Sequence, residues 1–231
     1  PRRYRLPRLA LPGRRRHQPG GVSLATSVGD SEEFLSLREY RPGDPLQHIH
    51  WKSFARTGRP IVKEFQDEFF ERHALVLDTG GAHGEDAAFE DAVAIAASFV
   101  YTIDTQECLL DLLFVGGELR HLVAGRGQLH AEQMLEALAG VSPSEPAAFE
   151  PLAHAVLAAR AQLSSCVLVL VAWDAERRRL AETLAASGIE VRCILACAPE
   201  RAPRDAPAWL VVVHPGAAEA GLAGLEQRVL R

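Results

Sequence analysis

The sequence predicts an α/β fold in which helices cover both faces of a mostly parallel sheet. Short runs that are apolar at nearly every position alternate with stretches whose apolar residues recur at helical spacing. The strongest apolar run is 166–173, which reads CVLVLVAW. A strand that is apolar on both sides has to be covered on both sides, and helices between successive strands provide that cover.

The elements of this sheet are predicted in order from residue 71 onward. Gly116-Gly117 marks a β-hairpin, which inserts one antiparallel strand, while Asp174 caps one helix and Gly188 ends it. The predicted strands are 73–80, 109–115, 119–123, 166–173, 191–196 and 209–213. The predicted helices are 89–100, 128–139, 147–163, 175–187 and 217–231.

Upstream of the sheet, the sequence predicts a basic extended arm over 1–30 and a strand-turn-helix-strand segment over 31–70, followed by the α/β domain over 71–231. In the middle segment, 33–40 alternates like a strand and 61–65 is a second strand. Between them, Asp44 is expected to cap a helix that begins at Pro45 and ends at Gly58.

Composition and charge exclude a general affinity for nucleic acid. The 231 residues carry a net charge of −5. A basic run near the start is either a solvated arm or linker, or it binds nucleic acid or an anionic membrane surface. Its members are Arg2, Arg3, Arg5, Arg8, Arg14, Arg15 and Arg16. The four cysteines lie in apolar contexts without a CxxC pair, which predicts buried reduced thiols of an intracellular protein; they are Cys108, Cys166, Cys193 and Cys197.

Two carboxylates fall at the predicted carboxyl ends of strands, where ligands bind in such sheets. These are Asp78 and Asp174. The arrangement resembles the von Willebrand factor type A-like fold, in which a strand-end Asp-x-Ser-x-Ser, a distant Thr and a further Asp hold a metal ion. Gly80 and Ala82 replace the two serines, so a degenerate site is predicted, with Ser142 or Ser144 as a stand-in for the Thr. The alternative is that the two aspartates bind helix or loop amides.

The stretch 37–65, LREYRPGDPLQHIHWKSFARTGRPIVKEF, is similar to the hallmark of the bacterial family of domain of unknown function 58. The matching positions are Leu37–Tyr40, Pro42–Asp44, Ile49, Trp51, Ala55-Arg56 and Val62–Phe65. Gln47 and His48 stand where the family usually has Arg, which removes one positive charge. The resemblance extends more weakly over the following type A-like domain.

Three interpretations of this stretch are open. In the first, Asp44 caps its helix, Trp51 packs against the sheet domain and the charged residues form an ion-pair network. In the second, its cations and Trp51 form a docking surface for a protein. In the third, a phosphate-handling hydrolase uses Asp78, Asp174, His50 and Arg41. The partner-binding candidates are Arg38, Tyr40, Arg41, Asp44, His50, Trp51, Lys52, Arg56 and Lys63.

The resemblance implies partners as well. Relatives are typically encoded beside MoxR-type AAA+ ATPases and other type A-domain proteins, and often carry two membrane-spanning helices upstream. We therefore expect a non-catalytic adaptor, with no cofactor and no nucleic acid, that works with such an ATPase in the assembly or maturation of a protein complex. The domain would lie at the cytoplasmic side of the membrane, held there by a segment that precedes Pro1. The alternative is an adhesion-type domain that binds a ligand through Mg²⁺.

Overall fold

The computed structural model describes residues 2, 4, 6, 34–44, 46–65, 71–81, 87–103, 108–125, 131–223, 225 and 227–230. The chain forms two compact units. We call them the sheet unit, Pro1–Arg16 with Phe70–Arg231, and the signature unit, His17–Phe69. Most of the predicted arm, 1–30, lies outside the described residues, but Tyr4 and Leu6 pack against the core of the sheet unit.

The signature unit is built on a two-stranded antiparallel sheet of β1 (Phe34–Glu39) and β2 (Ile61–Phe65). A turn, a 3-10 turn at Leu46–His48 and helix α1 (Trp51–Thr57) connect the strands. Gly58 ends α1 in the left-handed conformation, with φ +67°, as predicted. Pro45, the predicted first residue of this helix, lies outside the described residues. The predicted continuous helix up to Gly58 is wrong, because the 3-10 turn ends at His48 and Ile49 pairs with Val62 before the α-helix begins.

Among the described residues, six strands form the sheet of the sheet unit, and all but one of them are parallel. They are β3 (Glu71–Leu77), β4 (Cys108–Gly116), β5 (Glu118–Ala124), β6 (Ser165–Leu170), β7 (Glu190–Ala196) and β8 (Leu210–Val213). Their order is β5-β4-β3-β6-β7-β8, and only the edge strand β5 runs antiparallel. This doubly wound order confirms the predicted type A-like (Rossmann-like) sheet, including the hairpin that turns at Gly117.

Helices cover both faces of this sheet, as predicted. They are α2 (Ala87–Thr102), α3 (Ala131–Ala139), α4 (Phe149–Ala159), α5 (Ala175–Ala186) and α6 (Ala218–Leu222). Helices α2, α3 and α6 bury their apolar residues in one core, and α4 and α5 bury theirs in the other. All four cysteines are buried and none forms a disulfide. No helix among the described residues is both long and apolar enough to span a bilayer.

The predicted final helix, 217–231, is wrong beyond its first turns. Helix α6 ends at Leu222, and Leu230 instead forms an antiparallel bridge with Val191. Strand β8 begins opposite Cys193, so it leaves the backbone of Val191 without a strand partner on that side. Leu230 donates to and accepts from Val191, at 2.9 and 3.0 Å, and thereby satisfies that backbone.

Candidate functional site

A bidentate ion pair holds the turn that follows β1. The Arg38 guanidinium donates to both oxygens of Asp44, at 2.7 and 2.8 Å, and the Arg41 amide donates to the same carboxylate at 2.7 Å. These bonds lower the pKa of Asp44 to about 2, and the bond from the Arg38 side chain has a larger effect than the bond from the Arg41 amide. The predicted role of Asp44 as the cap of a helix beginning at Pro45 is wrong, because these bonds fix the strand-to-turn corner.

His50 occupies the N-cap position of α1 without bonding its side chain to the helix amides. Its Nδ1 lies 2.7 Å from Ser53 Oγ, one turn along the helix, so the imidazole is tied to α1 itself. The His50 amide donates to Ile61 of β2 at 2.8 Å, and the Tyr40 amide donates to Pro60 at 3.0 Å. The first of these bonds fastens the start of α1 to β2, and the second joins the residue after β1 to the residue before β2.

Large apolar side chains are exposed on and before α1. Leu46 exposes 67% of its surface, Trp51 62% and Phe54 38%, and the Trp51 and Phe54 rings meet edge to face with centroids 6.0 Å apart. Lys52 and Arg56 are exposed and lie four residues apart, on one side of the same helix. We call these five residues the α1 surface. Of the other candidates, Arg41 and Lys63 are exposed and Tyr40 is half-buried.

The second group of candidates lies at the carboxyl edge of the large sheet, where a buried arginine joins the two aspartates. Arg177 Nε donates to Asp78 Oδ2 at 2.7 Å. Arg177 Nη2 donates to Asp78 Oδ1 at 3.2 Å and to the Gly80 carbonyl at 3.0 Å. Its NH1 group donates to Asp174 Oδ2. The guanidinium carbon lies 4.3 Å from the centre of the Phe149 ring, a cation–π contact.

Burial and charge act in opposite directions on this ion pair. Asp78 is fully buried, and this burial raises the pKa of its carboxyl, while the hydrogen bond and charge of Arg177 limit the rise. Burial alone would lower the pKa of the Arg177 guanidinium, but the hydrogen bond and charge of Asp78 raise it above its ordinary value. The guanidinium therefore remains a cation inside the fold.

Asp174 caps α5, as predicted. Its Oδ1 accepts from the amides of Glu176 and Arg177, at 3.0 Å each. Asp78 also accepts a loop amide, from Gly80 at 2.9 Å. These bonds match the alternative in which both aspartates satisfy backbone amides, and Arg177 adds a buried cation that the alternative did not include.

The described residues at this edge do not fit a divalent metal ion. The hydroxyls of Thr79 and Ser144 both donate to the Val115 carbonyl, at 2.8 and 3.3 Å, and Gly80 has no side chain to offer. Every carboxylate oxygen of the two aspartates accepts a hydrogen bond. Within the described ranges, no three His, Cys, Asp or Glu side chains form a group that could hold a metal ion.

The four residues of the hydrolase interpretation divide between the two units. His50 and Arg41 belong to the signature unit, whereas Asp78 and Asp174 belong to the sheet unit, where Arg177 binds both. The His50 and Arg41 pair is therefore positioned by the signature unit, and the Asp78 and Asp174 pair by the sheet unit.

A family model described as "Protein of unknown function DUF58" matches residues 36–196, which is more than half of the chain. The chain belongs to this family. The match begins in β1 and ends with β7, so it includes both the α1 surface and the carboxyl edge of the sheet.

Two further proteins are similar to this DUF58 protein. The uncharacterized protein YeaD of Bacillus subtilis (strain 168) is 29% identical over 126 residues, which are 54% of this chain and 31% of YeaD. The chain therefore spans about a third of that relative's length. A solved structure of the manganese-loaded TRAP protein of Plasmodium vivax is similar with a TM-score of 0.46 and 13% identity, over 68% of this chain and 73% of that one.

The sequence interpretation missed Arg177, although a signal for it was present. Arg177 precedes the buried Leu180, Ala181 and Leu184 at helical spacing, so it lies on the face of α5 that packs on the sheet. Because it opens a run of three arginines, it has the appearance of a solvated residue.

Buried polar groups at the other end of the sheet were also missed. Arg72 donates to both oxygens of Asp111, at 2.5 and 2.9 Å, and His121 lies 3.0 Å from the same carboxylate. His73 Nδ1 lies 2.8 Å from Ser165 Oγ. Each pair joins residues from different strands, so no local motif marks it.

Proposed function

We propose that this DUF58 protein is a non-catalytic interaction module that docks on a partner protein through the α1 surface. The partner class is a MoxR-type AAA+ ATPase, acting with other type A-domain proteins, in the assembly or maturation of a complex. The observation that carries the proposal is the exposure of Trp51 beside Phe54 and Leu46, on a helix whose start is bound to β2.

The apolar part of the surface supplies the energy of docking. Trp51 exposes 62% of its surface, which is roughly 140 Å² for a side chain of this size. Covering that area at about 25 cal/mol per Å² stabilises a complex by about 3.5 kcal/mol. Tryptophan and arginine are favoured as anchors in protein interfaces, and here Arg56 follows Trp51 on the same helix.

The charges on the signature unit favour an acidic partner. Positions 37–65 contain six Lys or Arg residues and three Asp or Glu residues. Lys52 and Arg56 of the α1 surface are exposed, as are Arg41 and Lys63. An acidic segment with an apolar anchor fits this combination, since complementary charges speed association and select the partner.

The remaining candidates position the docking residues rather than contact the partner. The Arg38–Asp44 pair sets the turn, the His50–Ser53 bond sets the first turn of α1, and the Tyr40 amide joins the strand end to Pro60. A surface that is already ordered loses less conformational entropy when a partner covers it.

The family resemblance supports a membrane location for the whole protein, on the cytoplasmic side. The arginine-rich residues 2–16 would then lie next to an anionic membrane surface. This location and the ATPase partnership both rest on the resemblance of 37–65 to the family hallmark.

A pull-down with a MoxR-type ATPase, with and without nucleotide, tests the proposal. We expect the wild type to retain the ATPase and both Trp51→Ser and the double variant Lys52→Glu/Arg56→Glu to lose it. The control is Tyr101→Ser, which removes an aromatic side chain that is 45% exposed on α2 of the sheet unit. If folded Trp51→Ser retains as much ATPase as the control, the α1 surface is not the docking site.

A further inference from the structure

The carboxyl edge of the sheet gathers the kinds of oxygen that bind a hard cation. Two carboxylates and one backbone carbonyl converge there, from Asp78, Asp174 and Gly80. Carboxylate and carbonyl oxygens are the ligands of Mg²⁺ and related ions. In this protein, the group that they surround is the guanidinium of Arg177.

The guanidinium satisfies these oxygens as completely as a bound ion would. It forms a two-point bond with Asp78 and single bonds with Asp174 and the Gly80 carbonyl, while Phe149 lies against it. Its side chain is 4% exposed, and that of Asp78 is fully buried. A buried cation is retained only where such partners compensate for its lost hydration.

The bonds of Arg177, together with a backbone bridge at Gly80, connect three segments that are distant in sequence. Arg177 lies 99 residues from Asp78 and joins the end of β3 to the first turn of α5. Gly80 forms a bridge with Ser144, so the loop before α4 is held at the same place. An added Cβ at Gly80 would meet the backbone oxygens of Glu145 and Pro146 at 3.2 Å, which shows how closely these segments approach.

We propose that Arg177 is the resident cation of this edge and occupies the place that a divalent ion takes at the strand ends of type A-like domains. The edge is therefore assembled without metal, and no partner carboxylate reaches it through a metal ion. This inference concerns the sheet unit and does not depend on the docking role of the α1 surface.

Thermal unfolding with EDTA, or with 5 mM Mg²⁺ or Mn²⁺, tests the inference. We expect the Tm of the wild type to change by less than about 1 °C between these conditions, since a ligand that binds the folded state has to raise it. We expect Arg177→Ala to lower the Tm by at least about 8 °C in EDTA, because it leaves the buried Asp78 carboxylate without its cation. We also expect Mn²⁺ to restore several degrees of this loss, because it can enter the vacated place.

The matched control is Arg178→Ala, in the next position of the same helix. Arg178 is 57% exposed and pairs with Glu182. We therefore expect Arg178→Ala to lower the Tm by less than about 2 °C, and we expect Mn²⁺ to leave the Tm of this variant unchanged. The inference is overturned if Mn²⁺ raises the wild-type Tm, if Arg177→Ala is no less stable than this control, or if neither ion raises the Tm of Arg177→Ala.

A second measurement needs no variant and covers the case in which Arg177→Ala does not fold. In wild-type protein, we expect added Mn²⁺ to leave the amide NMR signals of Gly80 and Gly81 as sharp as those of Gly188, which follows α5. Selective broadening of the Gly80 and Gly81 signals would show that a divalent ion binds despite Arg177, and would reject the proposal.

Discussion

Protonation of one buried histidine should destabilise the sheet unit in mild acid. His73 lies in β3, is 4% exposed and shares a hydrogen bond with Ser165. Burial lowers its pKa from 6.5 to about 4. Because the unfolded chain binds the proton more readily than the folded chain, the stability is complete above pH 6.5 and falls as the pH decreases towards 4.

The size of the effect follows from the two pKa values. The difference between 6.5 and about 4, at about 1.4 kcal/mol per pKa unit, gives a total loss of about 3 kcal/mol. About 2 kcal/mol of this loss falls between pH 7 and pH 5. For a chain of 231 residues, that corresponds to a decrease in Tm of about 4–8 °C.

The assay compares wild-type protein with His73→Asn, whose amide can keep the hydrogen bond to Ser165 but does not titrate. Tm is measured by circular dichroism at pH 7 and pH 5. We expect the variant to be less stable at pH 7, because it leaves a small cavity, but to lose about 4–8 °C less than the wild type on acidification. The control is His154→Asn, at an exposed position of α4, whose Tm should fall between pH 7 and pH 5 by as much as that of the wild type. If the Tm of His73→Asn falls as much between pH 7 and pH 5 as that of the wild type, protonation of His73 does not cause the loss of stability.

Two substitutions test the fold at other points. Asp111→Asn should cost about 3–5 kcal/mol, measured by urea unfolding, because it removes the charge partner of Arg72 in a pair whose side chains are 6% and 1% exposed. A loss no larger than that of the exposed Asp205→Asn would contradict it. Gly117→Ala should cost about 1 kcal/mol, because the hairpin turn requires φ +78° at this residue. Gly140→Ala, with no heavy atom closer than 3.8 Å to the added Cβ, is the control that should change stability far less.

The sequence is sufficient to predict those elements that depend on local pattern. Strand β6, which is buried along its length, is apolar at every position after Ser165, and the capping chemistry of Asp174 at the start of α5 is local. The mostly parallel sheet follows from the alternation of strands and helices, and its one antiparallel strand follows from the Gly116-Gly117 hairpin.

Elements that depend on distant partners could not be predicted in this way. Asp44 has the sequence context of a helix cap, but Arg38 of β1 binds its carboxylate. The last residues have helical spacing, but Leu230 pairs with Val191 on another element. The charged neighbours of Arg177 suggest an exposed residue, whereas its partner Asp78 lies 99 positions away. In each case a tertiary contact decides the outcome over local propensity.

The decisive measurement for the proposed docking role is the dissociation constant of the proposed complex with a MoxR-type ATPase. It should be measured by titration calorimetry in physiological salt for wild-type protein, Trp51→Ser and the control Tyr101→Ser. Loss of an interface anchor worth about 2 kcal/mol corresponds to about 30-fold weaker binding. We expect Trp51→Ser to bind at least about 30-fold more weakly than wild type, with an unchanged Tm. We expect Tyr101→Ser to bind with an affinity within about twofold of wild type. Equal affinity for wild type and Trp51→Ser would contradict it.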